Sequence, residues 1–387
     1  MASAVHFACG ERFLFLLYCY REVLVSTVLL QSQHSARTLT DEEINEITSR
    51  IDMAEFNTVL DPIVLFLLYC YRESQHSART LTDEEINEIT SRIDMAEFNT
   101  MLDPILVERG VGSENHEVVK NYIISELKSS GLDVETDTFS DTVPNFGRLT
   151  FTNIIGHVNP TAPRALSLAC HYDSKIMASP FIGATDSAVP CAMLLYIARL
   201  MRQELGQLNQ NLGLDLIFFD GEEAFNEWSA EDSIWGARHL AAKWERSHLQ
   251  HRGKTLTKLD RMDMLVLLDL LGTSNPRFYS YYPPTHKWYK QLVGIESRLT
   301  ARGLLNMVNS NRSKKLTYFR EMSTFPVAED DHLPFYYRDV NVLHCIPYPF
   351  PSVWHKSSDN KSALDMNTIE NLLKIFQVFT MEYMWGE

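Results

Sequence analysis

From residue 100 onward the chain alternates between short apolar runs and amphipathic helical stretches. The apolar runs fall at 150–158, 165–170, 214–219, 264–268 and 340–346, and helical patterns at 115–130, 188–204, 233–244, 287–304 and 366–384 lie among them. Strands that alternate with helices predict an α/β fold, with a mostly parallel central sheet flanked by helices on both faces. In 115–130 the spacing puts Val118, Val119, Tyr122, Ile123 and Leu127 on one helical side. Pro190 falls in the first turn of 188–204, where proline is tolerated. No Gly/Ser linker divides residues 100–387, so they form one domain near the upper size for a single core.

The residues that follow each strand carry chemistry. "HYDS" after 165–170 brings His171 and Asp173, and "GATDSAVPCA" brings Asp186. Residues 214–219 run into Asp220-Gly221-Glu222-Glu223, and 264–268 into Asp269. Near the last strand lie Glu329, Asp330, Asp331 and His332, and then His355 in "VWH". Open α/β sheets form their sites beyond the carboxyl ends of the strands. Taken singly, each residue has an ordinary explanation: Asp186 caps a helix, Asp220 before glycine makes a turn, and a lone histidine packs. Five segments delivering Asp, Glu or His to one edge favour a joint role. Adjacent Glu222 and Glu223 repel each other, which makes sense if one holds a cation and the other moves protons. Carboxylate-plus-imidazole sets suit zinc, with three protein ligands and an open position. GxGxxG, P-loop and GxSxG patterns are absent, so nucleotide-binding and serine-hydrolase readings have no support.

The N-terminal part repeats itself. A 27-residue segment at 32–58 recurs letter for letter at 74–100, and "LFLLYCYRE" occurs at 14–22 and 65–73. Solenoid repeats diverge and recur several times, which two identical copies do not do. Each long copy has two Arg against six Asp/Glu, so the two supply −8 of the formal −15. That net charge argues against nucleic acid as a partner. In the second copy Thr82 and Glu85 form a capping-box pattern, and Leu81 with Ile86 a hydrophobic staple. Ile86, Ile89, Ile93 and Phe98 then fall near one helical face. We divide the chain into 1–73, a signal- or anchor-like segment with duplicated, poorly ordered sequence, and 74–387, the catalytic domain. Residues 13–31 are apolar but interrupted by Arg21-Glu22, which makes a poor membrane span. They read equally as a core helix or as a signal peptide or anchor. Six cysteines include no CxxC; Cys170 and Cys191 could bridge in an exported chain. Sequons at Asn311 and Asn360 permit glycosylation.

"CHYDSK", "GATDSAVPCAM", "LIFFDGEEAF", "DSIWGARHLA", "LLDLLG", "DDHLPF" and "PFPSVWH" appear in this order. Together they resemble the animal glutaminyl-peptide cyclotransferases, relatives of the zinc aminopeptidases, from about residue 81 to the C-terminus. The resemblance implies a zinc aminopeptidase-like fold and one Zn2+ per chain, held by Asp186, Glu223 and His355. It implies Glu222 as the proton-transfer residue, Asp269 and Asp330 as acids that hold the reacting groups, and Trp228, Phe350 and Trp354 as pocket lining. Glu329, beside them, stands where some members carry Gln. Cys170 and Cys191 match the family's disulfide pair.

The activity so implied is cyclisation of an N-terminal glutamine to pyroglutamate with loss of ammonia. Its substrates would be peptides or proteins that begin with Gln, acted on by a monomer in the secretory pathway, either secreted or anchored in the Golgi. The loop 176–182 is shorter than in the family's pattern, which alters the pocket rim. His171 and Asp269 also match positions where the related aminopeptidases hold a second metal. That leaves a zinc aminopeptidase, or an inactive peptide-binding relative, as the alternatives.

Overall fold

In the strand Leu212–Phe219, Leu214, Leu216 and Phe218 face one core while Ile217 and Phe219 face another. Every residue of this strand is buried, as expected of a strand covered on both faces. The computed structural model describes residues 77–205, 211–251, 253–306, 317–326 and 328–386. These belong to one compact unit that runs from residue 76 to residue 387. Residues 13–31, the first copy at 32–58, the boundary at 73 and 74, and Asn311 lie outside the described residues.

The central sheet has six strands in the order β1-β2-β4-β3-β7-β10. They are β1 Asp133–Val143, β2 Gly147–Val158, β3 Arg164–His171, β4 Leu212–Phe219, β7 Met262–Leu268 and β10 Val342–Cys345. β4, β3, β7 and β10 pair in parallel, while β1 and β2 pair antiparallel with each other and β2 antiparallel with β4. Two small two-stranded sheets, β5 His248–His251 with β6 Lys254–Thr257 and β8 Phe278–Ser280 with β9 Phe319–Ser323, sit outside it. The mixed, mostly parallel sheet agrees with the sequence reading, but β1 was not foreseen. Its sequence, DVETDTFSDTV, is polar, and its only strand partner among the described residues is β2, with which it pairs along its full length.

Helices cover both faces. On one lie α1 Asp83–Thr90, α2 Met95–Leu102, α3 Glu114–Ser129, α4 Val189–Leu200, α6 His286–Ala301 and α8 Met366–Met384. On the other lie α5 Trp235–Arg246 and α7 Leu333–Tyr336, where Leu240, Trp244 and Phe335 pack against Ile217, Phe219, Leu265 and Leu267. The capping box forms as read: Thr82 Oγ1 accepts from Glu85 N at 3.2 Å, and the Glu85 carboxylate accepts from Thr82 N at 2.8 Å. Glu382 in α8 ties this segment to the core, accepting from Arg79 N through its carbonyl and from Leu81 N through its carboxylate.

Three helical readings need correction. Phe98 is buried but belongs to α2, because α1 ends at Thr90 and the chain turns before Asp94 caps the next helix. Val118 is 57% exposed; the inner stripe of α3 is His116, Val119, Ile123 and Leu127. The helix expected at 188–204 stops at Leu200, and a separate turn, Arg202–Leu205, follows.

Candidate metal centre and active site

The site begins at the turn that leaves β4. Gly221 has φ +67°, and a Cβ there would lie 2.6 Å from the Phe151 ring, so the turn requires glycine. Asp220 is fully buried rather than a simple turn residue. It accepts from His116 Nε2 at 2.8 Å, from Tyr172 Oη at 3.0 Å and from Thr152 N at 2.6 Å. Beyond the glycine, the two carboxylate oxygens of Asp173 accept from Glu222 N at 3.1 Å and Glu223 N at 3.3 Å. The backbone carrying both glutamates is therefore fixed by one carboxylate from the end of β3.

Asp186 arrives on the tight turn Ala184–Ala188, which follows Gly183 at φ +58°. A Cβ on Gly183 would lie 2.1 Å from the Asp186 carbonyl oxygen. Arg109, fully buried, donates to the carbonyls of Tyr172, Ile182, Gly183 and Asp186 and so braces this turn from behind. His355 reaches the same point from a loop, at φ +52°, with its ring stacked on Trp354 at 4.3 Å. A positive φ on a non-glycine residue is strained and is often found at functional sites.

His355 Nε2 lies 3.4 Å from Asp186 Oδ2 and 3.3 Å from Glu223 Oε1. Neither oxygen forms a hydrogen bond, although both atoms are buried. Each carboxylate is oriented through its other oxygen: Asp186 Oδ1 accepts from His171 Nε2 at 3.1 Å, and Glu223 Oε2 from Lys175 Nζ at 3.1 Å. Buried acceptors left unpaired are costly, and here two of them surround an imidazole nitrogen. The three atoms fall within metal-ligating reach of one another. Two carboxylates and one imidazole form a donor set that fits zinc, and their outer atoms have the partners that such ligands need. Burial opposes charge on His355, but Asp186 and Glu223 outweigh it and raise its pKa to about 9.

Around this centre lie the groups suited to moving protons. Burial pushes the Glu222 carboxyl well above the usual range; the charges of Glu223 and Asp330 add to this, and His171 opposes it. Asp269, at the end of β7, accepts from Ser187 Oγ and from Leu270 N, and burial with the charges of Asp330 and Asp186 raises it to about 6. Asp330 Oδ2 accepts from His344 Nε2 at 2.7 Å, and Asp330 Oδ1 from Asp331 N at 2.6 Å. Asp331 is fully buried with both carboxylate oxygens unpaired, and burial pushes its carboxyl well up.

One cavity of about 470 Å³ gathers Asp186, Glu222, Glu223, Asp269, Asp330 and His355. Trp228, Phe350, Trp354 and Glu329 line it as well, whereas His171, Asp173, Asp331 and His332 are not in its lining. Trp228 Nε1 donates to Glu329 Oε2 at 3.1 Å, and Phe350 meets Trp354 edge to face at 4.9 Å. His171 lies behind this cavity, with Nε2 3.6 Å from Asp269 Oδ1, so His171, Asp186 and Asp269 form a second cluster that could hold a cation. Cys170 and Cys191 are buried free thiols with sulfurs 3.1 Å apart, brought together but not bonded.

The sequence reading assigned no role to Lys175, Ser187, His344 or Arg109. Lys175 and Ser187 stand inside the quoted motifs, and a lone cation among acids was a usable signal. His344 and Arg109 act across 14 and 77 residues, at Asp330 and at the Asp186 carbonyl, and no local pattern marks them.

Comparison with known proteins agrees with this geometry. Residues 153–380 match peptidase family M28. The chain is 48% identical over 287 residues to a glutaminyl-peptide cyclotransferase of Drosophila melanogaster, covering 72% of this chain and 78% of that protein. It is 45% identical over 291 residues to one of Bos taurus, covering 72% and 79%. Among solved structures, the glutaminyl cyclase of Macrostomum lignano superposes with a TM-score of 0.72 at 38% identity, over 79% of this chain and 94% of that one.

Proposed function

The chain belongs to the glutaminyl-peptide cyclotransferases of peptidase family M28, and we infer that it converts N-terminal glutamine of peptides and proteins to pyroglutamate with release of ammonia. One observation carries the assignment of the site: two buried, unpaired carboxylate oxygens flank His355 Nε2 in a cavity that also holds Glu222. Asp186, Glu223 and His355 would hold one Zn2+ per chain. Bound there, the ion supplies Lewis-acid polarisation of the substrate's side-chain amide oxygen.

The protein's own residues do the rest. The substrate's α-amine attacks the side-chain amide carbon of the same residue, so the two reacting groups are already joined. What remains is to hold the folded-back conformer and to move a proton. Trp228, Phe350 and Trp354 wall the cavity and favour the compact conformer. Glu222 takes the proton from the attacking amine and passes it to the amide nitrogen, which leaves as ammonia. A carboxylate whose pKa burial has raised suits both halves of that transfer. Asp269, oriented by Ser187, and Asp330, oriented by His344, accept hydrogen bonds from the amine and amide groups and hold them in line.

The same reading places the enzyme in the secretory pathway as a monomer, with Cys170 and Cys191 bridged after oxidation. Their 3.1 Å sulfur contact supports that pairing. A second reading draws on the cluster of His171, Asp186 and Asp269: an aminopeptidase would place a second cation there and activate a water. The test is to incubate the full chain with a Gln-initiated and a Leu-initiated dipeptide, following ammonia and free leucine with and without a zinc chelator. Chelator-sensitive ammonia release with the Leu peptide intact is the expected result. Release of leucine would move the protein to the aminopeptidases.

A further inference from the structure

A second, larger cavity lies against the catalytic one. It has a volume of about 930 Å³, with Tyr282, Tyr336, Tyr337 and Phe325 in its lining. The two cavities share Ala328 and Glu329 in their walls. They are also joined through the chain: Asp330 opens onto the catalytic cavity, and α7, three residues later, supplies Leu333 and Tyr336 to the groove.

Aromatic residues of the groove's wall touch one another. Tyr282 and Tyr336 have ring centroids 4.8 Å apart, Tyr336 and Tyr337 5.9 Å apart, and the Tyr282 hydroxyl is bonded to His332 Nε2. Tyr337 is nevertheless 73% exposed and Phe325 89% exposed. Large aromatic side chains exposed together around a groove mark a binding surface rather than ordinary surface scatter. What occupies the groove follows from what the neighbouring cavity takes. If the catalytic cavity encloses the first residue of a peptide, the rest of that peptide must leave across the rim. An extended chain advances about 3.5 Å per residue, and the wall it crosses is the one at Ala328 and Glu329 that the two cavities share.

We propose that the groove lined by Tyr282, Tyr336, Tyr337 and Phe325 binds an apolar or aromatic side chain at the third or fourth position of the substrate peptide, and so selects among Gln-initiated substrates. This rests on the cyclase reading above. The test uses the full chain with Gln-Ala-amide as the basal substrate. It compares two sets of tetrapeptides, with Phe or Ser at position three and with Phe or Ser at position four. The expected result is a kcat/KM about tenfold higher for Phe than for Ser at one of these positions, arising in KM. In Tyr337→Ser and in Phe325→Ser that advantage should shrink to about twofold or less, with the dipeptide rate unchanged. The proposal is overturned if the wild-type enzyme shows no preference at either position. It is also overturned if the variants lose dipeptide and tetrapeptide rates in parallel, or if Tyr337→Ser abolishes a concentration-dependent dimer while leaving peptide preference intact. A dipeptide that is not cyclised at all defeats the cyclase reading instead, so the two failures are distinguishable.

Discussion

Asp173 holds Glu222 by its backbone: one oxygen of the buried Asp173 carboxylate accepts from the Glu222 amide at 3.1 Å, and its other oxygen takes the next amide. Asp173→Asn leaves one acceptor and turns an NH2 group toward a backbone N–H. Removing an outer partner of a metal site typically costs about 10–100-fold. The variant should lose that much in kcat and bind zinc more weakly, measured by steady-state kinetics and by metal titration. Unchanged values of both would show that the turn holds itself.

Glu222→Gln keeps the shape of the side chain and removes its ability to take a proton. Zinc content should stay near that of the wild type while kcat falls by about 10²–10⁴. A variant that retained full turnover would remove Glu222 from the proton-transfer role.

His355→Ala and Glu223→Ala each leave two of the three proposed ligands. Metal content after purification, read by atomic emission, should fall well below one zinc per chain in both. Wild-type stoichiometry in either variant would exclude the set of Asp186, Glu223 and His355.

His157 provides a test of stability against pH. Its Nδ1 lies 2.8 Å from Asp215 Oδ1, and its Nε2 3.4 Å from Glu135 Oε2. Burial opposes the charge, but the two carboxylates prevail and raise its pKa from 6.5 to about 9. The hydrogen bond with His157 in turn holds Glu135 down at about 2. The folded state therefore keeps a proton that the unfolded chain releases near 6.5, so this contribution is full below 6.5 and is lost as pH rises through 9. The urea midpoint of the wild type should fall over that window, and that of His157→Gln should fall less. Parallel profiles would contradict the pair.

Much of this could be read from the sequence, for physical reasons. β4, β3 and β7 are buried on both faces and so are written as mostly apolar runs. β1 is joined to the sheet through its backbone, which leaves its side chains free to be polar. The site residues stood out because five loops deliver acids or histidines to one edge. Asp220 misled because Asp-Gly is a turn locally; His116, its partner, lies 104 residues earlier. Val118 misled by one step around a helix, since only packing decides which neighbouring row faces inward.

The Glu382 contacts with Arg79 and Leu81 make the second repeat part of the core, and they have a consequence for the first. Residues 32–58 spell the same segment, and the likeness runs on to residue 63, where VLDPI stands against MLDPI. The residues that meet α8 in the second copy, Arg79 and Leu81, are therefore spelled a second time in the chain. What differs is the sequence that comes next. Only the second copy continues into Arg109, the residue that braces the Asp186 turn.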